Sequence, residues 1–173
     1  MKRMLYLTGF TLIALFNAQS QIFHAEIPAV LTDSQIDLDM VGGDTIKHQV
    51  FLNPSVIQKN KLLVFLPGTG GRPGEHYSEF CKTAANEGWH AVGLVYKNTV
   101  SVSQSCGTAA TTDPLCSENL RSEIIYGTDL SSIVQVDSAN SIMNRLSRLL
   151  FFLKMNHPAG NWEQFLDLNN QTL

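Results

Sequence analysis

Charge is scarce in this 173-residue sequence: Asp, Glu, Lys and Arg make up 16% of it, against about 25% in an average soluble domain. With 44% hydrophobic residues and a mean hydropathy of +0.00, the composition excludes intrinsic disorder, because such a chain can bury enough apolar surface to offset the entropy of ordering. Basic residues are the minority, 12 Lys and Arg against 15 Asp and Glu. The electrostatic footprint of a protein that binds nucleic acid or an anionic membrane surface is therefore missing. No apolar run reaches the ~20 residues needed to span a bilayer. Internal repeats and low-complexity tracts are lacking too, and the length fits one domain of roughly 100–200 residues.

The one apolar run of note lies at the start. Lys2 and Arg3 precede the stretch from Leu5 to Phe16, after which Ala18 and Ser20 stand in a small-x-small arrangement. This is the pattern of a secretory signal peptide over residues 1–20, so residues 21–173 are expected to form a secreted or periplasmic domain with no membrane anchor. No cysteine follows the run directly, which gives no sign of a lipid anchor. Cleavage after Ser20 removes Lys2 and Arg3 and makes the formal net charge of −3 more negative.

Export changes the meaning of the three cysteines, Cys81, Cys106 and Cys116, since an oxidising compartment permits disulfides. Three thiols allow one bridge. Cys106 and Cys116 flank a stretch rich in Gly, Thr and Pro, whereas Cys81 falls in a helical pattern, so the near pair is the expected bridge and Cys81 the free thiol.

Alternation in 35–40 and again in 45–52, with Gly42-Gly43-Asp44 between them, predicts an N-terminal hairpin of antiparallel strands with one wet face. Leu62 to Leu66 is an unbroken apolar run that stops at Pro67-Gly68-Thr69-Gly70-Gly71-Arg72-Pro73-Gly74, the pattern of a buried parallel strand feeding a glycine-rich loop. Tyr77, Phe80, Cys81, Ala84 and Ala85 recur at helical spacing over 75–87, Gly88 stops the helix, and His90 to Tyr96 is a second apolar strand. The order strand, helix, strand predicts a βαβ unit and an α/β class. Residues 97–116 have no period and read as a long loop, followed by a short helix over 118–126. Asp137 or Ser138 is the expected cap of a long helix running through Met155, with Ile142, Met143, Leu146, Leu149, Leu150 and Leu153 facing the sheet. A second crossover helix implies a third parallel strand, and none is legible after it. The stretch from Leu149 to Leu153 is accordingly expected to leave an exposed apolar patch on a marginally stable domain.

One feature carries chemistry. A Gly-Thr-Gly-Gly loop behind a strand can turn backbone N–H groups toward an oxyanion or a phosphate. Phosphate loops of the Walker type need a second glycine followed by Lys, but Pro73 stands there and no Lys follows. The dinucleotide fingerprint fails at the same residue, where its third glycine should be. No cofactor is therefore expected. Of the five histidines, His24, His48, His76, His90 and His157, all read as surface or strand-face residues, and His76 with Glu79 supplies only two of the ligands a metal site needs.

The order strand, Pro-Gly-Thr-Gly-Gly loop, helix, strand, long loop, helix resembles the first half of an α/β-hydrolase, and in particular its secreted bacterial esterase-like members. Leu62 to Tyr96 carries most of the resemblance, with Asp137 to Leu153 matching the following helix. It implies that the backbone N–H of Thr69, with Gly70 as the neighbouring candidate, forms part of an oxyanion hole, and that the substrate is a small-molecule ester. The family's nucleophile elbow, Gly-x-Ser-x-Gly, occurs nowhere in these residues. In that family the acid and histidine follow the serine, so the resemblance implies an N-terminal portion that ends before the nucleophile strand, holds no catalytic serine, acid or histidine, and is inactive by itself. The other reading is a non-catalytic secreted or periplasmic binding domain of the same fold.

Overall fold

A computed structural model describes residues 21–41, 43–74, 77–107 and 113–167. The expected signal peptide and His76 lie outside the described residues. Among the described residues six strands and four helices form in the order β1 (Phe23–Pro28), β2 (Met40–Val41), β3 (Asp44–Thr45), β4 (Lys47–Leu52), β5 (Leu62–Phe65), α1 (Ser78–Asn86), β6 (His90–Gly93), α2 (Val102–Gly107), α3 (Cys116–Tyr126) and α4 (Ile142–Asn156). The main sheet is mixed, in the order β1-β4-β6-β5. Strand β4 runs antiparallel to both β1 and β6, while β5 and β6 are parallel, with Leu62 opposite His90 and Phe65 opposite Gly93. The class is α/β, with the expected parallel pair.

Side chains alternate through this sheet into two cores. On one face Val50, Leu52, Val92 and Leu94 meet Leu120 and Ile124 of α3 and Leu146, Leu149, Leu150 and Leu153 of α4. On the other, Phe51 and Ala91 meet Cys81 and Ala85 of α1. Helices thus cover both faces, which is why β4 is buried along nearly its whole length and lacks the wet face its alternation predicts. Strand β5 sits at the sheet edge and is only partly buried.

The N-terminal hairpin is corrected in one respect. Its turn forms at the expected place, but as the small ribbon β2–β3, and residues 35–39 are not a strand. Their backbone is held by other groups: Asp37 N–H donates to Asn140 Oδ1 and Ile46 N–H to the Asp39 carbonyl. The partner of β4 is instead β1, where Phe23, Ala25 and Ile27 alternate with His24 and Glu26.

The segment 97–116 is not wholly a loop, because α2 forms within it. Cys106 is disulfide-bonded to Cys116 with Cα atoms 5.7 Å apart, so the bridge fastens α2 to the start of α3, and Cys81 is free and buried. Replacing Cys106 and Cys116 together with serine is expected to remove about 2–3 kcal/mol of stability, the usual scale for a short closed loop. Urea unfolding measures it, and an unchanged midpoint would mean that the bridge adds nothing.

Helix α4 begins later than expected. Ser141 caps it, its hydroxyl accepting from Asn144 N–H, while Asp137 caps the turn before, its carboxylate accepting from the Asn140 backbone and side-chain N–H groups. Met143 points outward, 38% exposed, but the other five aliphatic residues assigned to the sheet-facing side are buried. The expected exposed patch over 149–153 does not exist. Leu149, Leu150 and Leu153 are fully buried, Phe152 is partly buried against the core, and Phe151 stands partly in solvent. After α4 the chain turns back through short 3-10 segments at Pro158–Gly160 and Trp162–Phe165, and Trp162 fills the space beneath the helix, edge-on to His90.

Candidate functional site

The glycine-rich loop leaves the C-terminal end of β5 beside the C-terminal end of β6, the edge of an α/β sheet where ligands are commonly bound. Its path is fixed by two residues that follow β6. Tyr96 Oη donates to the Pro67 carbonyl at 2.6 Å, and Asn98 Nδ2 donates to the carbonyls of Gly68 at 2.9 Å and Gly71 at 3.0 Å. Burial raises the Tyr96 pKa, which keeps the phenol protonated as a donor. Between them these contacts hold the loop's outward curve with no need of a ligand.

Within the curve, Gly71 N–H donates to the Gly68 carbonyl at 2.9 Å, and Gly70 has a φ of +71°. A positive φ at the third position of such a turn, with none at Thr69, makes it type II, which demands glycine there. Gly93 serves the site differently: a Cβ on it would come within 2.8 Å of Pro73 Cβ, so only glycine lets the end of the loop lie against β6.

The two amides that the sequence singles out fare differently. Gly70 N–H donates to the Asn98 carbonyl at 2.9 Å and is committed to holding the loop. Thr69 is exposed and makes no hydrogen bond among the described residues, so of these two amides its N–H is the one without an acceptor.

Beside Thr69 opens a pocket of about 270 Å³. Its walls are Leu66 of the loop, Val100 after β6, Val102 of α2, Ile124 and Ile125 of α3, and Ile142 of α4. Because the Cys106–Cys116 bridge joins α2 to α3, it also joins two walls of this pocket. A second pocket of about 260 Å³ lies on the other side of Tyr96 and is more polar, lined by Asp39, Lys97 and the Gly71 end of the loop.

The histidines are engaged elsewhere. His48 Nδ1 accepts from Val95 N–H at 3.0 Å, and burial, followed by the Arg145 charge, pushes its pKa down to about 3. His90 Nε2 donates to the Gly160 carbonyl, and burial lowers its pKa. His24 bonds Gln49 and stacks on Phe51, and His157 packs against Phe23. None of these four hydrogen-bonds a serine or a carboxylate. Burial raises the Cys81 thiol to about 11, which leaves it a poor nucleophile. Among the described residues no group of three or more His, Cys, Asp and Glu side chains could hold a metal ion, and no helix is long and apolar enough to cross a membrane.

The sequence gives no sign of the roles of Tyr96, which ends an apolar run, and Asn98, which lies in an aperiodic stretch, or of the pocket, whose walls come from the loop, the segment after β6 and three helices. No protein-family model, curated protein or solved structure matches the chain, so the case for this site rests on its geometry.

Proposed function

We propose that the chain is a secreted, acyl-ester-directed domain of the α/β-hydrolase type, in which Thr69 N–H meets the ester carbonyl oxygen and the apolar pocket receives the acyl chain. The observation that carries this reading is an unbonded Thr69 amide, on a loop braced by Asn98 and Tyr96, at the mouth of a pocket walled by aliphatic side chains. Its position supports the reading: β5 is the third strand of the main sheet in chain order, and in this family an N–H from the loop between the third strand and the first helix forms half of the oxyanion hole. A braced donor of that kind stabilises a developing oxyanion by about 2.7–4 kcal/mol. The disulfide fits an oxidising compartment.

A second reading, a binding domain without catalysis, is favoured by the histidines, each of the four described being committed to a structural contact. Both readings use the same pocket and part ways only over the nucleophile.

The test uses Thr69 itself. Proline is favoured at the second position of a type II turn, so Thr69→Pro removes the N–H while suiting the backbone, and Thr69→Ala keeps it. Methyl hexanoate is expected to bind the wild type and Thr69→Ala alike and Thr69→Pro about tenfold more weakly, the scale of one hydrogen bond. Equal binding to all three would take the donor role away from Thr69. The 173-residue chain is also expected to turn over a nitrophenyl butyrate at the background rate and to resist a fluorophosphonate probe. Labelling at any serine would reveal a nucleophile this reading lacks.

A further inference from the structure

We propose that Arg121 makes the apolar pocket selective for ligands bearing an anionic group, so that the preferred ester is one whose acyl chain ends in a carboxylate, a half-ester of a short dicarboxylic acid. This rests on the reading of the pocket as an acyl site. Arg121 projects from α3 one turn before Ile124 and Ile125; among the described residues it is the sole charged side chain lining the pocket, and no acidic residue lines it. It makes no ion pair or hydrogen bond with the described residues, although Glu118 lies three residues before it on the same helix.

The contrast with the other cations is informative. Lys47, Lys59, Lys82, Lys97, Arg145 and Arg148 each have a carboxylate partner, while Lys61 and Lys154 lie over the rings of Trp89 and Phe151. In a protein of net negative charge, the cation that faces the apolar pocket is one left without an acid. Guanidinium is planar, always charged and shaped to take a carboxylate through two N–H donors. A pocket of about 270 Å³ exceeds the ~150 Å³ cavity that holds benzene and falls just short of the ~300 Å³ at which drug-sized sites begin. That is room for a short acyl chain, with the Thr69 amide for the ester carbonyl and Arg121 for the terminal carboxylate.

Two ligands of similar length decide it: monomethyl adipate, which ends in a carboxylate, and methyl hexanoate, which ends in a methyl. Calorimetric titration of the full chain should show the adipate half-ester bound roughly three- to tenfold more tightly, since a partly exposed but bidentate pair lies above the usual surface ion pair. Arg121→Gln should abolish that preference and leave methyl hexanoate unchanged, Arg121→Lys should retain part of it, and added salt should shrink it in the wild type. Equal binding of the two ligands, or a preference that survives Arg121→Gln, would overturn the role of Arg121 while leaving the acyl site standing. Failure of both ligands to bind would overturn the acyl site and this inference with it.

Discussion

Replacing Arg145 with alanine is expected to remove about 3–5 kcal/mol of stability, the scale for breaking a buried ion pair from one side. Its side chain is 0% exposed, and its charge is met by Asp39 through Nη1. Asn140 takes two further donors, Nε to its carbonyl at 3.0 Å and Nη2 to its Oδ1 at 2.7 Å, and Nη1 also reaches the Val95 carbonyl. Removing the guanidinium leaves Asp39 without its partner and releases Asn140, whose Oδ1 also takes Asp37 N–H. The segment before β2 would then lose one of its ties to α4, the Arg148–Asp33 ion pair remaining. Arg145→Met combined with Asp39→Asn should recover part of the loss, because it removes both charges. Urea unfolding of the two variants reads this directly, and an Arg145→Ala protein within 1 kcal/mol of the wild type would show that the pair stabilises nothing.

Acid should destabilise the protein well before most of its carboxylates are protonated. The cause is His48, which keeps its neutral form in the fold because burial and Arg145 hold its pKa at about 3, against 6.5 when unfolded. Between those two values the unfolded chain binds a proton that the folded chain refuses, so stability rises with pH across this window and is lost as pH falls through it. At about 1.36 kcal/mol per pH unit the full loss is about 5 kcal/mol. His90 acts with the same sign, its pKa also lowered by burial. Glu123 adds to it at the acid end. Burial raises the pKa of this carboxylate, but N–H groups of Val136, Ser131 and Leu130 outweigh that and lower it overall. Its contribution is complete above the unfolded value of 4.5 and fades as pH falls through the folded one. Asparagine at position 48 can still accept from Val95 N–H but does not titrate. His48→Asn should therefore show a much flatter stability profile from pH 6.5 to 3 than the wild type, and identical slopes would refute this assignment.

What could be read from the sequence follows from how local each signal is. The β5–β6 pair was legible because both runs are apolar without alternation and a helix of crossover length joins them. The loop was legible because proline and glycine mark turns by their own backbone limits. Strand β1 carries a period-two pattern as regular as any, but it spans six residues and closely follows the apolar run Leu5–Phe16, so nothing marked it as the partner of β4. Arg145 shows the limit most clearly. On α4 it reads as one more polar residue on a wet face, and only the meeting with Asp39, 106 residues earlier, makes it the most deeply buried charge in the fold. The Asn98 clamp and the pocket were hidden for the same reason. Asn98 lies about 30 residues from the carbonyls it binds, and the pocket walls come from the loop, the segment after β6 and three helices.

The central claim is that an ester carbonyl meets the backbone N–H of Thr69 while its chain enters the neighbouring pocket. The most direct measurement is an amide and methyl NMR titration of the full chain with methyl hexanoate. The Thr69 amide should shift downfield together with the methyl signals of Val102, Ile124 and Ile142, whereas the Gly70 amide, already bonded to the Asn98 carbonyl, should move far less. A Thr69 amide that stays in place at saturating ligand, or shifts gathered around Asp39 and Lys97 on the other side of Tyr96, would contradict the claim.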